Sequence, residues 1–226
     1  MPTPNASAKS VALRFGLYTL VVAAFLSALP LLGRRDGDAL PRAFLEGGSL
    51  EWTQFGLLVL AGTILVRGAR ADPGSRELSL LLATLIAFAA VREMDGPLDG
   101  LLPWFGWKLG FVLLVPAVWL VRRRGGALRA QTARLVTSPA CALLWAAFLV
   151  AVPVAQLLGH GAFLRALMGD AYEFAVKQAI QESAECVGYL LLVAGSVEVV
   201  LAGRLRSPPG ADAAEASARD GTSGRR

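Results

Sequence analysis

Apolar runs of near-membrane length, with few or no charges, recur along the chain, and no other feature constrains its folding so tightly. The first covers residues 15–32 (FGLYTLVVAAFLSALPLL), enough helix to cross about 30 Å of hydrocarbon. Others cover residues 52–66, 78–91, 104–121 and 140–158, and the last fills the second half of the stretch 172–206. Charged residues make up only 17% of the chain, against about 25% in soluble domains. The expected fold is all-α: a polytopic membrane protein with a six-transmembrane-helix bundle. A cleaved signal peptide is the alternative for the first run. Its length, and the absence of a clean small-residue cleavage site, favour a retained span.

Residues 1–10 read as a short polar leader and 11–206 as the membrane domain. Residues 207–226, rich in Pro, Gly, Ala and Ser, read as a disordered tail. Basic residues set the orientation. Most of the 22 Lys and Arg fall in segments that share one side when both termini are cytoplasmic. Among them are Lys9, Arg14, Arg67, Arg70, Arg76 and the five arginines of the loop expected over residues 122–134. The positive-inside rule therefore places both ends in the cytoplasm, with a bacterial inner (plasma) membrane as the expected location. The formal charge of +5 is a topology signal rather than a nucleic-acid surface.

Within the stretch 172–206, an apolar second half follows an acid-bearing first half. At 100° per residue, Gln178, Glu182, Glu185 and Tyr189 fall within an arc of roughly 60° on one helix face. The third run is short: fourteen residues give roughly 21 Å of helix, against about 30 Å of hydrocarbon. It leads directly into Arg92, Glu93 and Asp95, so that charge must approach the bilayer. With both termini inside, the outer leaflet collects these residues, Glu51 and Gln54, Lys108 on the fourth run, and Gln156 and His160 on the fifth. Ionisable groups at membrane depth face the bundle interior. One outward-facing pocket is expected, acidic, with Arg92, Lys108 and His160 as counter-charges. Glu198, on roughly the opposite face from Glu182, is expected to pair with Arg14, Arg67 or Arg204. The glycines at 16, 56, 62, 188 and 195 are expected at close helix contacts.

The chemistry open to such a pocket is bounded. A single histidine excludes a three-His zinc site or a bis-His haem within one subunit. No Walker A loop, G-x-S-x-G elbow, H-E-x-x-H or C-x-x-C motif occurs, so no nucleotide motif is present. Cys141 and Cys186 should lie near opposite membrane faces, unable to form a disulfide with each other. The leading expectation is a membrane-embedded enzyme acting on a lipid-linked or amphiphilic substrate. Glu182, Glu185, Glu93, Asp95 and His160 are its candidate catalytic groups. Arg92 and Lys108 would hold an anionic lipid head group, with Gln178 and Tyr189 beside them. Glu182, Glu185 and Asp95 could instead ligate a hard divalent cation. Two alternatives stand beside it: a non-catalytic membrane subunit binding a partner helix, and a small proton- or cation-coupled transporter. The first predicts that replacing Glu182 or Asp95 changes assembly; the second predicts polar residues through both leaflets.

Overall fold

The computed structural model describes residues 4–34, 44, 48–101 and 106–204, and every regular element among them is helical. Helix α1 covers Pro4–Arg34, α2 Ser49–Ala71, α3 Arg76–Glu93 and α4 Asp95–Leu101. Helix α5 covers Gly110–Val136, α6 Pro139–Leu149, α7 Ala155–Leu158, α8 Gly161–Met168 and α9 Phe174–Arg204. Among the described residues, five segments are long and apolar enough to cross a membrane: Ala8–Leu31, Ser49–Ala71, Pro73–Glu93, Pro139–Leu158 and Phe174–Gly203. They match the first, second, third, fifth and sixth expected spans. The fourth run does not reach that standard among the described residues: α5 begins at Gly110 and meets Arg122, Arg123 and Arg124 after twelve uncharged residues.

Helix α9 is the axis of the assembly. It packs against α1, α2 and α6, while α3 packs on α2 and α5 on α3. Small residues make this closeness possible, as expected where lipid replaces water and packing must supply the attraction. A Cβ at Gly188 would sit 2.7 Å from the backbone nitrogen of Ala151, and one at Gly195 would sit 2.8 Å from Leu144. Gly62 lies in ordinary contact with Ile86, but Gly16 and Gly56 face open space and mark no helix contact. The central cluster joins Leu58, Ala61 and Leu65 of α2 to Ala83, Ile86 and Ala90 of α3, with Ala140, Tyr189 and Val199.

Local chemistry explains the turns. Asp72, buried between α2 and α3, accepts a hydrogen bond from the Gly74 amide at 2.9 Å, and Pro73 follows it with φ already set for a helical turn. Pro153 has no N–H to give to an i−4 carbonyl, and the helix widens around it into a π-turn over Val150–Val154. Gly169, at φ 55°, ends α8 in a conformation that side chains resist.

Several segments expected as loops or leader are helical. The leader is helical from Pro4 onward. The basic segment 122–134 continues α5, with a bend at Arg124 (φ −123°, ψ 21°). Its Arg, Ala, Leu and Gln residues are good helix formers, and Leu128 and Gln131 are buried. The Gly/Pro segment after Asp95 forms α4, and the approach to Asp170 contains α8. The tail 207–226 lies outside the described residues, as does most of the connection between α1 and α2.

Candidate functional site

Chain direction brings the expected acids to one end of the bundle. Helix α2 starts there with Glu51, α3 ends there with Arg92 and Glu93, and the first three turns of α9 carry Gln178, Glu182 and Glu185. A cavity of about 220 Å³ opens among them, lined by Glu51, Arg92, Glu93, Asp95, Lys177, Gln178, Gln181, Glu182 and Glu185. Five carboxylates thus face two cations. Glu185 is buried, Glu51, Glu93 and Glu182 half-buried, and Arg92 and Asp95 exposed. The cavity therefore grades from a charged rim to a carboxylate floor.

Neutral donors hold that floor. Gln54, fully buried, donates its amide to Glu182 Oε2 at 2.7 Å and to the Glu182 backbone carbonyl at 3.1 Å. Tyr189 donates its hydroxyl to Glu93 Oε1 at 2.7 Å, and Gln181 donates to Glu185 Oε1 at 3.1 Å. Arg92 and Lys177 form no ion pair within 4.0 Å of these three carboxylates; the Lys177 ammonium lies 5.1 Å from the centre of the Phe174 ring. A donor on one oxygen leaves the rest of each carboxylate free to meet a ligand. Ionised carboxylates sharing one cavity repel, and a cation entering from the rim relieves that repulsion.

Tyr189, the donor to Glu93, lines a different cavity. An apolar groove of about 240 Å³ runs between α3 and α6, walled by Leu85, Ala89, Phe148 and Val152 among others, with Gly188, Tyr189 and Leu192 of α9 behind. The π-turn supplies Ala151 and Val152 to this wall. Tyr189 thus lines the groove while its hydroxyl bonds Glu93, a residue of the polar cavity's lining.

Not every expected residue joins this site. His160 is exposed, and its Nδ1 accepts from the Phe163 amide at 3.3 Å as the N-cap of α8. Gly159 before it presses against Gln181, so His160 stands at the same end without lining the cavity. Lys108 is exposed on the short 3₁₀ turn before α5, a turn that packs on α3, α4 and α5. It does not line the cavity either. Among the described residues, no three His, Cys, Asp or Glu side chains gather closely enough to hold a metal ion; the triad of Glu182, Glu185 and Asp95 shares a cavity without forming a ligand set. Lys177 and Gln181 join the lining beyond the residues expected from the sequence. Gln181 lies one turn before Glu185, a spacing at which helical side chains meet, so its signal was present.

The opposite end of the bundle carries a different polar layer. Arg14 grips Glu198 with two bonds, Nε to Oε1 at 2.6 Å and a terminal nitrogen to Oε2 at 3.1 Å, and Tyr18 adds a hydroxyl at 2.9 Å. Gln131 accepts from the Leu78 amide at 2.8 Å and donates to Glu77 at 2.7 Å, tying α5 to the start of α3. A scan against family models returned no match, and searches of curated proteins and of solved structures likewise matched nothing.

Proposed function

We propose that the chain is a six-span, multi-pass protein of the bacterial plasma membrane, with both termini cytoplasmic. In this reading it is an enzyme acting at the outer leaflet on an amphiphile with an amine-bearing head group. The fourth of the six spans is the apolar part of α5, and the positive-inside distribution of arginines supports the orientation. The observation that carries the functional reading is the double role of Tyr189. Tyr189 lines the apolar groove, and its hydroxyl bonds Glu93, which lines the polar cavity. A molecule with a hydrocarbon tail and a polar head meets both environments at once.

Charge selects the head group. Five carboxylates against two cations favour an amine over the anionic head expected from Arg92 and Lys108, since Lys108 stands outside the cavity. Glu93, Glu182 and Glu185 are the groups placed to take or give a proton, with Arg92 and Lys177 at the entrance and Gln178 beside them. The test compares cells carrying wild type, Glu93→Gln or Glu185→Gln, with membrane lipids profiled and the protein quantified. The enzyme reading expects unchanged protein abundance and the accumulation of one amine-bearing amphiphile. Loss of the protein with no lipid change would instead support the structural-subunit reading.

A further inference from the structure

Helices α3 and α5 are tied at two points, and the lengths between the ties do not match. Near one tie, a Cβ on Gly110 would meet the Phe88 ring at 3.0 Å and Val91 at 3.4 Å. At the other, Gln131 bonds the Leu78 amide. From Leu78 to Phe88–Val91, α3 covers about 15–20 Å, whereas α5 from Gly110 to Gln131 needs about 31 Å at 1.5 Å per residue. The longer helix cannot run alongside the shorter one throughout. It bends at Arg124, and beside the bend a hollow of about 680 Å³ opens.

The lining of this hollow has one sign. It consists of Arg122, Arg123, Arg129, Gly125, Gly126 and Thr132, over an apolar base of Leu81, Val121 and Leu128, with no acid among them. All three arginines are exposed, and none forms an ion pair with a described residue. A Cβ built on Gly125 or Gly126 meets nothing within 4 Å, so the backbone at the bend is open to close approach.

We propose that this hollow binds an anionic phospholipid. Its phosphodiester is held by Arg122, Arg123 and Arg129, and its acyl chains lie against Leu81, Val121 and the apolar first half of α5. Guanidinium groups match phosphate oxygens with paired N–H donors. The hollow follows directly on the uncharged residues 110–121, placing the arginines where a membrane helix leaves hydrocarbon and lipid phosphates lie. Basic pockets between helices at this level are suited to anionic head groups. This site is separate from the acid-rich cavity and does not depend on the enzyme reading.

The test measures the thermal midpoint of the full chain in detergent, with added phosphatidylglycerol, phosphatidylcholine or inorganic phosphate. Wild type should gain about 5 °C when phosphatidylglycerol reaches about a hundred times its dissociation constant, and nothing from the other two. The triple variant Arg122→Gln/Arg123→Gln/Arg129→Gln should lose the gain, and Arg67→Gln/Arg70→Gln should keep it. Gly125→Leu/Gly126→Leu leaves every charge in place and favours helix, so its loss of the gain would locate the lipid in the hollow even if the triple variant fails to fold. The proposal is overturned if either hollow variant retains the gain, if the Arg67/Arg70 variant loses it equally, or if inorganic phosphate reproduces it.

Discussion

Arg14 and Glu198 attach α1 to the rest of the bundle, and breaking that pair has a calculable consequence. Glu198 is 3% exposed, whereas the Arg14 side chain is 24% exposed. Two unit charges centred about 3.5 Å apart attract by roughly 5 kcal/mol at an effective dielectric constant near 20. Taking both from water cancels much of this, but removing one partner leaves the other's desolvation uncompensated, typically about 3–5 kcal/mol for a buried pair. Arg14→Met strands the buried carboxylate with only Tyr18, and because water can enter through the half-open Arg14 side the expected cost is about 3 kcal/mol. Glu198→Gln frees an arginine that can extend toward the interface, at about 1 kcal/mol. The double variant should cost about 2 kcal/mol, a coupling of about 2 kcal/mol between the two sites. Unfolding in mixed micelles titrated with sodium dodecyl sulfate reads all four proteins. Costs that simply add, within about 0.5 kcal/mol, would refute the pairing.

Other consequences follow from single contacts. Gly188→Val drives a branched side chain into the Ala151 backbone and should abolish folded protein in detergent extracts, whereas Gly56→Ala, facing open space, should leave the midpoint within about 1 °C. Tyr189→Phe keeps the ring but removes the donor to Glu93, costing about 1–3 kcal/mol in the same micelle assay. That cost should shrink in a Glu93→Gln background, where the bond no longer involves a carboxylate. Gln131→Ala breaks both ties to the start of α3 and should destabilise by about 1–3 kcal/mol, raising proteolysis within α5. For orientation, a membrane-impermeant maleimide should label Gln178→Cys in intact cells and Arg129→Cys only after permeabilisation; the reverse pattern would invert the topology.

What could be read from the chain was what its period and charge encode. Helix α9 was legible because its apolar block and its Gln178–Glu182–Glu185–Tyr189 stripe both follow the 3.6-residue repeat. The gathering of Glu93, Asp95, Arg92, Glu182 and Glu185 was legible because loop charge fixes which helix ends share a side. Charge says which end, however, and not which face. Lys108 and His160 stand at the expected end without lining the cavity: Lys108 sits on the turn before α5, and the His160 imidazole caps α8. The Gln54–Glu182 bond joins residues 128 positions apart with no local signature. The basic segment around Arg129 looked like a loop because arginines and two glycines interrupt the apolar pattern; burial of Leu128 and Gln131 against α3 makes it a helix, and the mismatch with α3 bends it. The apolar groove had no sequence signal, since it depends on α3 and α6 standing apart beside α9.

The central claim is that one amphiphile spans the acid-rich cavity and the groove beside Tyr189. The most direct measurement is photocrosslinking of the reconstituted protein with a long-chain primary amine carrying a diazirine at its tail, followed by mass-spectrometric mapping. The account predicts adducts concentrated on the groove walls at Leu85, Phe148 and Val152. They should be competed by the unlabelled amine but not by the alcohol of equal length, and lost in Glu93→Gln/Glu185→Gln. Adducts spread evenly over lipid-facing positions such as Leu13 and Leu20 of α1, or equal competition by the alcohol, would contradict it.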